Sequence, residues 1–207
     1  MDKLDYKIIK SGSSGNAIRI EDVMIDCGTS YSQIKEELYK CKLLFITHIH
    51  SDHLKLQTFN QIKQNHRSIK IIGNYQVAGK VKVDVILGDH PRTIKTKKYS
   101  LKPFLVPHSA ITHGFVMKLK DGVELIYVTD SAGTKDWPKG KYDYLFIESN
   151  HDENIVNQIS EKEFGYEVFQ ASKRHTSVQE SKAFYYMNRK GPDSKWIELH
   201  KSERFYK

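Results

Sequence analysis

Cysteine is nearly absent: of 207 residues only Cys27 and Cys41 carry a thiol, and no Cys-x-x-Cys pair occurs. That excludes a disulfide framework and a thiolate zinc site. Both thiols read as small core residues. Long apolar runs are missing too, since no stretch approaches the ~18 residues of a membrane span. The opening Met1-Asp2-Lys3-Leu4-Asp5 is charged, unlike a secretory leader. A cytoplasmic protein with no membrane partner is expected. There is no Pro/Gly-rich linker, low-complexity tract or internal repeat, so one domain over residues 1–207 is expected.

Acidic charge is also in short supply. The chain carries 33 Lys and Arg against 25 Asp and Glu, a net +8. From Lys63 to Lys102 there are ten basic residues against Asp84 and Asp89, which alone gives +8. From Lys173 to Lys207 there are nine against four acids, which gives +5. The remainder is therefore net acidic. Two basic blocks of this kind suit a polyanionic partner, although a lysine-rich solvated surface would give the same count.

What is present is a dense series of short elements. Tyr6 to Lys10, Ala17 to Ile20 and Val23 to Asp26 read as strands between Gly, Ser and Asp turns. A helix is predicted over Tyr31 to Lys40, a strand over Leu43 to Thr47, a helix over Lys55 to His66 and a strand over Ile69 to Ile72. Strands follow at Val81 to Leu87, Leu101 to Val106, Phe115 to Leu119 and Val123 to Thr129. The last two flank Asp121-Gly122, a strong hairpin signal. After a strand at Tyr144 to Glu148 the pattern turns helical, over Glu161 to Ala171 and Val178 to Met187. Ser177 and Glu180 offer a capping box for the second of these. A strand from Trp196 to His200 closes the chain. Two sheets with helices outside, an αββα four-layer sandwich of the α/β class, would bury these strands.

Thr47-His48-Ile49-His50-Ser51-Asp52-His53 carries the chemistry. His48 and His50 alternate, so in extended backbone they point to one side. Asp52 and His53 follow after a turn. Imidazole and carboxylate together suit Zn²⁺, Mn²⁺ or Fe²⁺.

This HxHxDH run resembles the signature of the metallo-β-lactamase superfamily. The resemblance implies a two-metal hydrolase and a further set of ligands in chain order. Val106-Pro107-His108 supplies the next His, with His113 as its rival. Thr129-Asp130-Ser131 supplies a bridging Asp, and Leu199-His200 a last His. One metal would take His48, His50 and His108; the other would take Asp52, His53 and His200; Asp130 would lie between them. Two divalent ions, Zn or Mn, are thus implied as cofactors. Such a pair generates a hydroxide that attacks a phosphoryl or acyl centre, with Asp52 and Asp130 orienting it and accepting its proton. Asp26 would support the HxHxDH loop by hydrogen bonds.

Other segments narrow the branch. Ser11-Gly12-Ser13-Ser14-Gly15-Asn16-Ala17 and Glu148-Ser149-Asn150-His151-Asp152 are similar to the WalJ/YycJ subfamily, associated with DNA exonuclease activity. Arg174-His175-Thr176-Ser177 and the segment after His200 resemble RNase Z. The resemblance implies that His175 protonates the leaving group. Glu148 and His151 are expected behind the site. Lys173, Arg174 and Arg204 are candidates for substrate phosphates because they are basic and flank presumed site residues, and Ser13 and Ser14 of the Gly-rich turn are further candidates for substrate binding. Departures stand beside it. Leu54-Lys55-Leu56-Gln57 follows HxHxDH where WalJ-like chains carry Gly, Arg174 replaces a Gly, and RNase Z's tRNA-gripping arm is missing. A nuclease is expected, with a nucleic-acid or nucleotide substrate and possible homodimerisation. A cyclic-nucleotide phosphodiesterase like the phage anti-Pycsar hydrolases is the alternative. A non-catalytic nucleic-acid-binding module is a further one.

Overall fold

A computed structural model describes residues 4–158, 174–202 and 205–206. Two compact units divide the chain. One comprises Met1–His90 with Ala110–Thr112, the other Pro91–Ser109 with His113–Lys207. Each contains one six-stranded sheet.

The first unit is built from β1 (Tyr6–Lys10), β2 (Ala17–Ile20), β3 (Val23–Ile25), α1 (Tyr31–Leu38), β4 (Leu43–Phe45), α2 (Leu56–Asn65), β5 (Lys70–Asn74), α3 (Tyr75–Lys80) and β6 (Val85–Leu87). Its strands lie in sequence order. β1, β2 and β3 pair antiparallel, and β3 to β6 run parallel. Met24, Leu44 and Ile71 pack with Ile34 and Leu38 of α1 and with Phe59 and Ile62 of α2. Ile18, Ile20, Val23, Ile25, Phe45 and Ile72 are buried as well. These strands are therefore continuously apolar rather than alternating, as sheets covered on both faces are.

The second unit holds β7 (Ile94–Lys95), β8 (Tyr99–Val106), β9 (Thr112–Leu119), β10 (Glu124–Val128), β11 (Tyr144–Glu148), α4 (Glu153–Gln158), α5 (Val178–Asn188) and β12 (Lys195–Leu199). The sheet order is β12-β11-β10-β9-β8-β7. β9 and β10 form the hairpin expected at Asp121-Gly122, with Gly122 at φ +93. β10, β11 and β12 are parallel. Ser177 and Glu180 form the capping box of α5, and Phe184 of that helix packs on Trp137 in the core with Val128 and Ile147. The helix expected over Glu161 to Ala171 lies outside the described residues.

Several strands end earlier than the sequence suggests, each for a visible reason. β4 stops at Phe45 because the Thr47 N–H donates to the Asp26 carboxylate, 2.8 Å, instead of to a neighbouring strand. β3, β10 and β12 end before Asp26, Asp130 and His200, which adopt positive φ of 61°, 51° and 52°. β6 starts only at Val85, because Val81 ends α3 by donating its N–H to the Val77 carbonyl. In each unit the parallel strands share one direction, so their C-terminal ends fall on one edge of the sheet. Open α/β sheets place their ligands at that edge. Residues that follow those ends are the ones carrying imidazoles and carboxylates here.

Candidate metal centre

In the first unit the loop after β4 is held from behind. Asp26 is fully buried and accepts three hydrogen bonds: from the Thr47 N–H, from Thr47 Oγ1 (2.9 Å to Oδ2) and from His53 Nδ1 (2.7 Å). Burial pushes the Asp26 carboxyl above its ordinary range, and His53 and Thr47 pull against that shift. With Nδ1 donating to Asp26, His53 turns Nε2 outward. His48 Nε2 lies 3.0 Å from His50 Nδ1, and the His48 and His53 rings are 4.1 Å apart. Asp52 Oδ2 lies 3.4 Å from His53 Nε2. Four donor side chains of the HxHxDH run therefore converge, with His48 and His53 wholly buried.

The Gly-rich turn explains how this loop keeps its shape. Asn16 donates its backbone N–H to the Asp52 carbonyl, 2.7 Å, and its side-chain Nδ2 lies 2.9 Å from His53 Nε2 and 3.4 Å from Asp52 Oδ2. Asn16 Oδ1 accepts the Gly12 N–H, which closes the turn. A Cβ on Gly28 would sit 1.6 Å from the Asp52 carbonyl oxygen, so only glycine permits this approach. Ser13 and Ser14 are exposed on the outside of the turn.

In the second unit Glu148 is the hub. It is fully buried, at the end of β11. Its Oε2 accepts the Ser131 and Thr176 N–H groups at 2.8 and 3.1 Å, and its Oε1 faces His175 Nδ1 at 2.7 Å and His200 Nδ1 at 3.4 Å. Burial disfavours its charge. The hydrogen bonds from His175 and His200 outweigh that cost and hold the carboxyl well below its usual range. Burial likewise disfavours the charged form of His175, but Glu148 reverses the sign and raises its pKa. Asp130 Oδ1 lies 3.5 Å from His200 Nε2, 3.7 Å from His175 Nδ1 and 4.0 Å from His108 Nε2. Asp130, Glu148, His175 and His200 each offer a donor atom within 4.8 Å of the others, a set that can hold a metal ion. Asn150 Nδ2 steadies His200 from the side, 2.8 Å from its carbonyl and 3.2 Å from Nδ1.

The remaining expected residues fall as follows. His113 is buried within β9 and joins no metal-holding group among the described residues, whereas His108, just after β8, lies near Asp130. His151 is buried beside Ser177, and its Nδ1 has no hydrogen-bond partner among the described residues. Arg174 is exposed. Lys173 and Arg204 lie outside the described residues. Thr47, Asn16 and Asn150 are not singled out as site residues by sequence. The available signals were a Thr just before the first His, and an Asn inside each of two short polar motifs. Buried imidazoles and carboxylates without thiolate form a donor set that fits borderline or hard divalent ions.

No protein-family model and no curated protein sequence matches the chain. Solved structures do. The metallo-β-lactamase fold protein YhfI from Bacillus subtilis is similar at TM-score 0.73 and 13% identity, over 98% of this chain and 88% of the other. The short form of human tRNase Z is similar at TM-score 0.67 and 17% identity, over 96% and 93%. A diphosphatase of the PhnP family is similar at TM-score 0.68 and 14% identity, over 98% and 88%. The chain therefore has the metallo-β-lactamase fold, as its HxHxDH run implies. No helix among the described residues is long and apolar enough to cross a membrane.

Proposed function

We propose that the protein is a metal-dependent phosphodiesterase that cleaves nucleic acid, with two divalent ions, zinc or manganese, as cofactors. The proposed ligands are His48, His50 and His108 for one ion and Asp52, His53 and His200 for the other, with Asp130 shared. This assignment rests on the HxHxDH resemblance and on the buried donor sets within each unit. When bound, such ions supply Lewis-acid charge for a phosphoryl group and ionise a water near neutral pH.

The chain's own residues do the rest. Asp52 and Asp130 orient the attacking water and take up its proton. His175 donates a proton to the departing oxygen. The observation that carries this reading is the 2.7 Å bond between His175 Nδ1 and the buried Glu148 carboxylate. Glu148 keeps its charge, so His175 stays protonated on Nδ1 and can present a second proton on Nε2. A poor leaving group such as a nucleoside oxygen needs such an acid. The tRNase Z and diphosphatase neighbours, whose names denote cleavage at phosphorus, support the same choice.

The test is hydrolysis, with Zn²⁺ or Mn²⁺, of bis-p-nitrophenyl phosphate, linear DNA, linear RNA and 2′,3′- and 3′,5′-cyclic nucleotides. An Asp52→Ala/His53→Ala double variant is the control. Cleavage of polymers that is lost in the control is expected. A His175→Ala variant is expected to lose about 10²-fold or more on polymers but less on bis-p-nitrophenyl phosphate, whose leaving group needs little protonation. Cleavage of cyclic nucleotides alone would replace the nuclease reading by the small-nucleotide one. Absence of any metal-dependent cleavage would overturn the phosphodiesterase reading.

A further inference from the structure

The outer face of α5 carries a stripe of aromatic and cationic side chains whose outermost ring, Tyr186, is exposed. Lys182, Tyr185 and Tyr186 recur at i, i+3 and i+4, which places them along one side of the helix, and Arg189, the C-cap residue just past its end, turns its guanidinium onto the two tyrosine rings. The buried residues of α5 are Ser181, Phe184 and Asn188, a different face. Tyr186 is 54% exposed. The Arg189 guanidinium lies 4.9 Å from the Tyr186 ring centroid and 5.7 Å from that of Tyr185.

Behind this pair the rings are fixed. Tyr185 stacks on Trp196 of β12 at 5.8 Å and 18°, and meets Tyr186 edge-on at 5.2 Å. The Tyr185 hydroxyl donates to the Ser194 carbonyl and the Trp196 Nε1–H to Ser181 Oγ. Two anchored aromatics thus back an exposed one. Lys182 and Lys195 are exposed as well, and both lie on the elements that carry these rings.

Exposed rings interleaved with cations are what a single strand of nucleic acid recognises. Bases stack on the ring faces whatever their identity, and the cations meet the phosphates. A purely apolar partner would leave the cations unpaired, and an acidic peptide would make no use of the exposed ring face. We infer that the α5 stripe is a docking surface for single-stranded nucleic acid, with a base on Tyr186 and phosphates on Lys182, Arg189 and Lys195. The inference rests on the nuclease reading in one respect: α5 starts three residues after His175 and extends ~16 Å from there at 1.5 Å per residue. A strand held at His175 can therefore continue along the helix.

The experiment is anisotropy titration of a fluorescein-labelled, phosphorothioate-linked dT20 with the full chain in Zn²⁺. Bis-p-nitrophenyl phosphate hydrolysis and light-scattering mass are measured on the same preparations. Tyr186→Ala should weaken binding about tenfold or more, the usual loss for a base–aromatic stack, and Tyr186→Phe should retain it. Arg189→Ala should weaken binding and flatten its salt dependence by about one counterion. Hydrolysis of the small ester should stay unchanged in all three, which shows the fold intact. Undiminished dT20 binding by Tyr186→Ala would overturn the proposal. So would a fall in mass from dimer to monomer with dT20 binding intact, which would make the stripe an interface between copies. If the native chain cleaves the small ester but does not bind dT20, the stripe proposal fails alone. If it binds dT20 through Tyr186 but cleaves nothing, the stripe stands and the phosphodiesterase reading fails.

Discussion

Asp26 separates holding a loop from tuning a ligand, and two substitutions at one position tell these roles apart. Asp26→Ala removes the acceptor of three fully buried donors: the Thr47 N–H at 2.8 Å, Thr47 Oγ1 at 2.9 Å and His53 Nδ1 at 2.7 Å. A buried donor left without a partner costs about 1–3 kcal/mol. Three of them give an upper figure well above the net loss, because burying the carboxylate is itself unfavourable, as its raised pKa records. A net loss of about 3 kcal/mol is expected. Asp26→Asn is different. Its Oδ1 still accepts from Thr47, but its amide must face His53 Nδ1 and donate to it. His53 then carries its proton on Nε2, the nitrogen that points toward Asp52, and that nitrogen no longer offers a lone pair. Asn should therefore keep the fold to within about 1 kcal/mol while lowering zinc affinity about 10- to 100-fold, the usual effect of losing a carboxylate behind a metal-binding histidine. Urea denaturation of the chelator-treated protein reads the first quantity, competition against a chromophoric zinc chelator reads the second, and ¹⁵N spectra of the imidazoles report the tautomer. Wild-type zinc affinity in Asp26→Asn, or an Asp26→Ala variant as stable as the parent, would refute this account of the loop.

Two further outcomes follow from packing and charge. Glu37 accepts from Arg19 (2.7 Å), Lys7 (3.0 Å) and Lys40 (3.1 Å), and after the opposing cost of burial these hold its carboxyl at about 2. A carboxyl depressed on folding contributes its full stability above its unfolded value and loses it as pH falls through the folded one. The stability gap between the wild type and Glu37→Gln should thus be at most about 3 kcal/mol above pH ~4.5 and close toward pH ~2, measured by urea melts across that range. A gap independent of pH would show that the network acts by packing alone. Gly28→Ala should cost on the order of 4 kcal/mol, because its Cβ would lie 1.6 Å from a backbone oxygen that cannot swing aside; a thermal midpoint unchanged from wild type would contradict the tight approach of the two loops.

The sequence was legible where a local rule had no competitor. β1, β2 and β11 begin and end where alternation and turn residues place them, and the α5 cap is written in Ser177 and Glu180. It was less legible where a strand feeds the site, since the residue that would extend β3 or β4 is diverted to serve the loop. α3, at six residues, and the two-residue β7 are too short to show a period. The HxHxDH residues were readable because imidazole and carboxylate at that spacing have few other uses. Asn16 was not: an Asn after Gly15 has an ordinary role in a turn, and only the fold brings its amide to Asp52, 36 residues away. Glu148 sits at the end of an apolar strand, and its grip on His175 and His200 depends on two segments that follow much later in the chain.

Four non-glycine residues have positive φ among those described, and three of them are Asp26, Asp130 and His200. The fourth, Glu21, turns the β2–β3 hairpin. A left-handed residue costs about 1–2 kcal/mol, which glycine would avoid. Glycine at these three positions would also delete a carboxylate or imidazole to which the proposed function gives a role. The geometry accounts for the choice. Each of the three stands just past the C-terminal end of a strand in a parallel set, where the side chain would otherwise continue the alternation of the sheet. One left-handed residue breaks that alternation at once and turns the chain toward the loop. Asp is among the residues that tolerate this conformation best, and His is also enriched there. The strain is offset within each unit by the bonds that the turned residues make, from Thr47 and His53 to Asp26, from Thr129 to Asp130, and from Asn150 to His200. Backbone strain at chemistry-bearing side chains, compensated by their neighbours, is what a preorganised site requires, and it would have no purpose if these residues only ended strands.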